Sequence, residues 1–252
     1  MKKEAAKNMR SPNKLVASSI LKDINLKLIN FFGQPKKDKL SNPLDILIAT
    51  ILSQNTNDKN SFQAYLNLKN NFNNWEELGS EKLSKIIKLI RIAGLGNQKA
   101  RVIKNLIKRL KQENGHASLD KLRLLDEQEA IIYLTSFKGV GLKTATCVLL
   151  FSLNRNVCPV DTHIHRILNR LGIVNQKDRN KTFYDLHEIL PNGIAYELHT
   201  NLILLGRSIC TSNKPKCNEC PLIDLCNYKK KNLNSNKNQK NPINSFLLLD
   251  NI

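Results

Sequence analysis

The sequence is short of acidic residues and of aromatic rings. Its 252 residues include 21 Asp and Glu against 40 Lys and Arg, which gives a formal net charge of +19, and aromatic residues make up only 6%. This excess of positive charge is larger than solubility requires and indicates a polyanionic partner. The scarcity of rings argues against a protein that binds single strands by stacking many bases on exposed side chains. The composition therefore favours contact with the backbone of duplex nucleic acid.

The chain also lacks long apolar runs. No stretch approaches the roughly 20 apolar residues of a membrane span. The basic start is not followed by the apolar core of a signal peptide. We therefore expect a soluble cytoplasmic protein with no membrane partner.

Cysteine is unevenly distributed along the chain. Two of the six cysteines stand apart, and the other four form a block with the spacing C-x6-C-x2-C-x5-C, made up of Cys210, Cys217, Cys220 and Cys226. Such a dense set of thiols in a reducing compartment is more typical of a metal site than of disulfides. From the spacing alone both zinc and a [4Fe–4S] cluster remain open, although a zinc ribbon normally shows two CxxC pairs rather than one.

Alternating patterns typical of β-strands are missing as well. From Leu44 onward the apolar residues recur at helical spacing, and Asp126 with Glu129 predicts a capping box at one helix start. The fold is therefore predicted to be all-α. The predicted helical segments are 45–54, 81–93, 98–112, 127–137, 143–153, 162–173 and 196–210.

Two similar glycine-rich segments lie between helical ones. The sequence AGLG at 93–96 precedes Lys99, and KGVG at 138–141 precedes Lys143. Two glycines one residue apart permit positive φ angles. The unpaired N–H groups at the start of the following helix can hold a phosphate. The second segment therefore predicts a helix–hairpin–helix motif, whereas the first is equally consistent with a plain helix cap.

Several motifs occur together with this hairpin. They are ILSQNTND, IAGLGNQKA, FKGVGLKTA, PVDTHIHR and the cysteine block. From about Asp45 to Tyr228 the chain resembles the helix–hairpin–helix DNA glycosylases, specifically the endonuclease III family. The resemblance implies a monomeric, nucleoid-associated enzyme of base-excision repair that binds double-stranded DNA containing damaged bases or abasic sites.

The resemblance also implies a reaction and its residues. Lys143 is expected to attack C1′ of the flipped nucleotide, forming a Schiff base that leads to β-elimination, and Asp161 is expected to stabilise charge at the sugar. An Asp before a helix is also an ordinary N-cap, and both roles can coexist. The expected activity is that of a bifunctional glycosylase and abasic-site lyase for oxidised pyrimidines. The cysteine block is expected to hold a [4Fe–4S] cluster.

Further family positions imply DNA contacts. Leu95 matches an apolar wedge, with a buried turn residue as the alternative, and Asn55 stands where the family commonly has a longer Gln. Lys138 occupies a hairpin position that often carries Pro. The expected DNA-binding residues are Asn55, Leu95, Gly139, Val140, Gly141, Thr144, Lys214 and Lys216.

The domain organisation and two alternative functions complete the prediction. A six-helix barrel is expected over 36–156, a cluster domain over 1–35 with 157–228, and a disordered basic tail over 229–252, with DNA and pocket between the two domains. One alternative is a glycosylase for mismatched thymine or adenine on the same scaffold. The other is a noncatalytic DNA-binding module, against which the presence of Lys143 and Asp161 argues.

Overall fold

A computed structural model describes residues 14–36 and 40–233 of the chain. The regular structure within these residues is entirely helical, which confirms the predicted all-α fold. Short 3₁₀ helices connect some of the α-helices. The α-helices are α1 Lys14–Phe32, α2 Pro43–Ser53, α3 Asp58–Lys69, α4 Glu76–Ser80, α5 Leu83–Ile90, α6 Gly96–Asn114, α7 Glu127–Thr135, α8 Leu142–Leu153, α9 Thr162–Leu171, α10 Arg179–Ile189 and α11 Ala195–Ser208.

The seven predicted helical segments coincide with observed helices. The segment 81–93 is divided, because α5 ends at Ile90 and the chain continues as a 3₁₀ helix over Arg91–Ala93. The predicted capping box is present: the Asp126 side chain accepts from the Glu129 N–H at 2.8 Å, and the Glu129 carboxylate accepts from the Asp126 N–H at 2.9 Å. The spacing of apolar residues therefore located these seven helices, including α2 and α8, which are buried on most sides.

Four helices were not predicted: α1, α3, α4 and α10. In α1 the buried residues Ala17, Leu21, Ile24 and Leu28 follow one another at steps of four, three and four. That spacing is an ordinary helical signal. The sequence of α3 is dominated by polar residues, and tertiary packing of a few side chains such as Tyr65 and Leu68 decides its structure.

The described residues form two compact units. The first, called the split unit, combines residues up to Pro35 with those from Val160 onward, and the second, called the central unit, lies between Lys36 and Pro159. The assignment of these units as a cluster domain and a six-helix barrel stays a prediction, as do the exact boundaries.

The central unit is built around α2 and α8. Residues Pro43–Leu52 of α2 are all buried except Asp45, and α8 is buried continuously from Thr144 to Ser152. Helices that are apolar on most sides belong in the middle of a core. The pair α2 and α8 packs together, α3 and α7 cover it, and α6 packs on α4 and α5. This arrangement places the end of α2 beside the start of α8.

The split unit is built around α11. Helices α1 and α9 both pack on α11, and α10 packs on α1 and α9. A glycine is required where α9 crosses α11, since a Cβ on Gly206 would lie 2.6 Å from the Cβ of His163. The close approach brings the first turn of α9 against the end of α11, which leads directly into the cysteine block.

No helix in the described ranges combines the length and the apolar character needed to cross a membrane. The predicted basic tail, 229–252, lies outside the described residues from position 234 onward. Its first residues are described and return to the cysteine block, because the Asn232 carbonyl accepts from the Cys217 N–H at 3.0 Å.

Candidate nucleic-acid interface

The hairpin at 138–141 has the positive φ angle that its glycines predict, but only one of the two glycines adopts it. Gly139 has φ +87°, and a Cβ there would lie 2.7 Å from Cγ2 of Val102. Gly141 has an ordinary extended backbone with φ −97°, and a Cβ there would meet nothing within 4 Å. Gly139 is therefore required both by backbone conformation and by packing against α6. At Gly141 the open space leaves room for a ligand close to the backbone.

The start of α8 follows this hairpin and carries free N–H donors. Gly141 is the N-cap and has no side chain, so no cap hydrogen bond is formed. The first N–H groups of a helix have no acceptor within the helix and mark the positive end of its dipole. Lys143, the second residue of α8, is half-buried, and Thr144 is 4% exposed. The geometry suits the binding of an anion beside the Lys143 amine.

Val140 differs from its neighbours in the hairpin. Its N–H donates to the Phe137 carbonyl at 3.0 Å, and its side chain is only 5% exposed. Both groups that Val140 could offer to DNA are thus engaged within the protein. The hairpin donors that remain for a phosphate are those of its glycines and of the first turn of α8.

The turn after α2 lies beside the hairpin. The side-chain amide of Gln54 donates to the Gly139 carbonyl at 3.3 Å. The next residue, Asn55, is exposed and has a left-handed backbone with φ 51°. The following helix is capped by Asn57, whose side chain accepts from the Asn60 N–H at 2.9 Å. Asp58 is the first residue of α3.

The turn before α6 exposes an apolar side chain. Leu95 is 51% exposed and has φ 50° and ψ 33°, a left-handed conformation that costs a non-glycine residue about 1–2 kcal/mol. The alternative in which Leu95 is a buried turn residue is therefore wrong. A branched apolar side chain that is held outward in a strained conformation is suited to insertion between bases.

A buried lysine near this turn was not recognised from the sequence. Lys99 is 2% exposed, and burial lowers its pKa to about 8. Lys99 is the fourth residue of α6, whereas Lys143 is the second residue of α8. Two positions along an α-helix amount to a rotation of about 200°. The two similar segments therefore point their lysines to opposite sides, one into the core and one towards the surface.

In the split unit, Asp161 is the N-cap of α9. One carboxylate oxygen, Oδ1, accepts from the N–H groups of His163 at 2.8 Å and Ile164 at 2.9 Å. Its other oxygen, Oδ2, forms no hydrogen bond within the described residues, and the side chain is half-buried. The carboxylate can therefore cap the helix with one oxygen and present the other to a reacting group.

Two arginines connect α9 to the cysteine block. The Arg166 guanidinium donates to the Cys210 carbonyl at 3.0 and 2.7 Å and to the Gly206 carbonyl at 2.9 Å. Arg170 donates through Nη1 to the Cys210 sulfur at 3.3 Å and lies over the ring of Tyr228. The helix that Asp161 caps thus shares a hydrogen-bond network with the first cysteine of the block.

The four cysteines of the block have free thiols, and Cys210, Cys217 and Cys226 are near enough to Cys220 to affect its pKa. Burial raises the pKa of the Cys220 thiol to about 12, and the nearby charges of Cys210, Cys226 and Cys217 raise it further. A bound metal is what would favour four adjacent thiolates in such a setting. Within the described residues no three His, Cys, Asp or Glu side chains meet at a point that suits a single metal ion.

The basic loop 214–216 lies inside this block, and its lysines were expected to contact DNA. Only the first of the two lysines is exposed. Lys214 is exposed, Pro215 is buried and Lys216 is half-buried. The Lys216 N–H donates to the Ile209 carbonyl at 2.9 Å, which folds the loop back on the end of α11. The loop thus presents the Lys214 ammonium to solvent from a fixed backbone.

Comparison with known proteins was made on the sequence and on the fold. Residues 48–192 match the model of the HhH-GPD superfamily base excision DNA repair protein. A relative from Arabidopsis thaliana is 40% identical over 190 residues, which make up 71% of this chain and 65% of the relative. Endonuclease III of Sulfolobus acidocaldarius is 35% identical over 196 residues, which make up 75% of this chain and 84% of that protein.

The fold comparison agrees with the sequence comparison. A solved non-covalent complex of endonuclease III with DNA is 25% identical and superposes with a TM-score of 0.71. The match covers 83% of this chain and 94% of that protein. The similarity thus extends well beyond the segment that carries the hairpin.

Proposed function

Because the chain belongs to the HhH-GPD superfamily of base excision DNA repair proteins, and within it to the endonuclease III family, we propose that it is a bifunctional DNA glycosylase. The enzyme excises oxidised pyrimidines from duplex DNA and then cleaves the abasic strand. The observation that carries this proposal is the half-buried lysine, Lys143, in the first turn of a helix that starts from a glycine hairpin with free N–H donors.

Lys143 is proposed as the nucleophile. Its neutral amine attacks C1′ of the flipped nucleotide, a C–N bond forms, and the N-glycosidic bond breaks with its electron pair going to the departing base. Opening of the sugar gives a Schiff base. The Schiff base acidifies the C2′ proton, and loss of that proton expels the 3′ phosphate by β-elimination. The uncapped N–H groups of α8 favour an anionic backbone next to the amine.

Asp161 is proposed as the carboxylate that serves the same reaction. Its free Oδ2 can stabilise positive charge that develops on the sugar, and can accept the proton that Lys143 must lose before it attacks. The two N–H donors on Oδ1 fix the orientation of the carboxylate. The helix cap and the chemical role therefore use different oxygen atoms of one side chain.

Binding to the duplex is proposed to involve three turns of the central unit and one loop of the split unit. The N–H groups at the start of α8 hold a phosphate, while Leu95 and Asn55 enter the space vacated by the flipped nucleotide. In the split unit Lys214 and Lys216 contact the backbone without reading sequence. The net charge of +19 is consistent with a large electrostatic contribution to this binding.

The cysteine block is proposed to hold a [4Fe–4S] cluster. Four neighbouring thiols and a guanidinium at the Cys210 sulfur fit an anionic thiolate-bound group. A single zinc ion is the alternative, although a zinc ribbon normally shows two CxxC pairs and this block has one. When bound, the cluster cross-links the loop that carries Lys214. The excision chemistry is left to Lys143 and Asp161.

The cofactor proposal predicts a clear difference between two kinds of cysteine. Protein purified without air should be yellow-brown with about four irons per chain. Cys217→Ala should lose most of the iron and lower the melting temperature, because a buried ligand is removed and the remaining thiols lose their cross-link. Iron content, visible absorbance and thermal melting provide the measurements.

The matched control is Cys158→Ala, since Cys158 is also buried but lies outside the block. This variant should keep its iron and its colour. Colourless wild-type protein that contains one zinc per chain would contradict the cluster assignment.

The proposed function is tested with a panel of duplexes, each carrying one damaged or mismatched base. We expect excision of oxidised pyrimidines followed by strand cleavage at the abasic site, measured by gel separation of the products with and without hot alkali. Selective excision of mismatched thymine or adenine would replace the substrate assignment. Binding without release of any base would indicate a noncatalytic module.

A further inference from the structure

The buried lysine of α6 connects two separate turns of the central unit. The Lys99 ammonium donates to the Leu52 carbonyl at 2.8 Å and to the Ala93 carbonyl at 2.8 Å. It forms no ion pair with a carboxylate in the described part of the chain. Its only polar partners there are thus two backbone carbonyls that are far apart in sequence.

Both carbonyls are at places where a helix ends. Leu52 is in the last turn of α2, where carbonyls lack a helical partner and carry the negative end of the dipole. Ala93 ends the 3₁₀ helix Arg91–Ala93. The ammonium therefore satisfies acceptors at two helix ends, which gives a physical reason for a lysine at this buried position.

Each of these helix ends leads into a strained residue that faces outward. Asn55 follows Leu52 by three positions with φ 51°, and Leu95 follows Ala93 by two positions with φ 50°. Left-handed backbone at a non-glycine residue persists only where surrounding contacts hold it. The two residues are also the ones proposed to enter the space of the flipped nucleotide. The buried Lys99 ammonium thus binds both helix ends from which the turns of Asn55 and Leu95 start.

The cost of this lysine argues for a positional role. Burial lowers the pKa of Lys99 to about 8, so the charged form is disfavoured at this position relative to water. An apolar side chain of similar length would fill the space without that cost. The two directed hydrogen bonds of the ammonium link two helix ends, which an apolar side chain could not do.

We propose that Lys99 is a positioning residue that fixes the turn of Asn55 and the turn of Leu95 at one spacing, so that both side chains enter the DNA stack together. This inference rests on the proposed function, because it takes both turns to contact the damaged duplex. Lys99 acts through these turns and does not touch the DNA.

The first test needs no DNA. The amides of Gln54 and Gly94 each donate to a carbonyl three residues earlier, within the two turns. In Lys99→Met both amides should exchange their hydrogens at least tenfold faster than in the wild type. The Val140 amide, which is hydrogen-bonded in the hairpin, should keep its rate. Amide hydrogen exchange followed by NMR gives the three rates separately.

A control distinguishes this effect from general loosening of the core. Ile103→Ala removes a fully buried side chain one turn further along α6 without changing the ammonium. It should speed exchange in the turns and the hairpin alike. Lys99→Gln, which keeps an N–H donor on a shorter side chain, should fall between wild type and Lys99→Met. Equal acceleration of all three amides in Lys99→Met, or acceleration in one turn only, would overturn the proposal.

The second test measures entry into the stack without any chemistry. A duplex carries a tetrahydrofuran abasic analogue opposite 2-aminopurine, whose fluorescence rises when it is unstacked. The wild type should raise the fluorescence at saturation, whereas Leu95→Ala and Lys99→Met should each lose about half of the rise. Because both act on one step, the double variant should be no worse than the more affected single variant.

Additive losses in the double variant would show that Lys99 does not act through the Leu95 turn. The two tests of Lys99 are independent of the test of the proposed function. A wild-type protein that excises no base from the lesion panel refutes the glycosylase proposal, while the exchange rates and the fluorescence still decide the role of Lys99.

Discussion

Sodium borohydride should trap a covalent complex between the wild-type protein and a duplex containing an abasic site, and Lys143→Ala should abolish this complex. The reason is chemical: only a Schiff base between an amine and C1′ can be reduced to a stable link, and the variant lacks the proposed amine. Strand cleavage at the abasic site should fall to the level without protein. The complex is measured by gel electrophoresis under denaturing conditions.

Two matched variants separate the amine from its surroundings. Lys143→Gln keeps most of the length of the side chain and should also fail to form the complex. Lys138→Ala removes an exposed positive charge from the same hairpin and should retain trapping with weaker binding and a smaller salt dependence. Duplex affinity of Lys143→Ala should stay within about tenfold of the wild type, since loss of a single charge costs up to about 1 kcal/mol at a solvated site. Undiminished trapping in Lys143→Ala would exclude it as the nucleophile.

Sequence patterns could predict most of the fold because helices leave a periodic signal. The segments that became α6, α8 and α11 bury one face or nearly all of their surface, and such burial constrains residue type at fixed spacing. The polar helices α3 and α10 carry little of this signal. Their structure depends on what packs against them, which a single sequence does not show.

The candidate site was predictable only in part, for a similar reason. A glycine that needs positive φ can be anticipated at Gly139, where a motif defines the turn. That Gly141 is extended, and that the Val140 N–H is already engaged, depends on the course of the backbone. Lys99 was recognised only as part of an internal similarity. The face of α6 on which Lys99 lies depends on which residue begins the helix. Helix starts are known from sequence only to within a few residues.

The second large effect is expected from substitution of Asp161. Its two roles, capping a helix and stabilising charge in the reaction, can be separated because each uses a different oxygen of the carboxylate. Removing a helix cap costs about 0.5–2 kcal/mol of stability, whereas removing a charge that stabilises a transition state costs about 10²–10⁴ in rate. Asn is as good an N-cap as Asp. Asp161→Asn can therefore keep the bonds of Oδ1 to the two N–H groups of α9 while it removes the negative charge.

We therefore expect Asp161→Asn to excise damaged bases about 10²–10⁴ times more slowly than the wild type, with little change in melting temperature or DNA affinity. The matched control is Asp178, the N-cap of α10, whose Oδ1 accepts from two N–H groups in the same manner at 2.9 and 3.0 Å. Asp178→Asn makes the same change of charge at an equivalent cap and should leave the excision rate within about twofold, because a rate loss requires a charge that acts on the transition state. Single-turnover kinetics and thermal melting of both variants provide the comparison. If Asp161→Asn and Asp178→Asn have equal excision rates, Asp161 is a helix cap with no part in the chemistry.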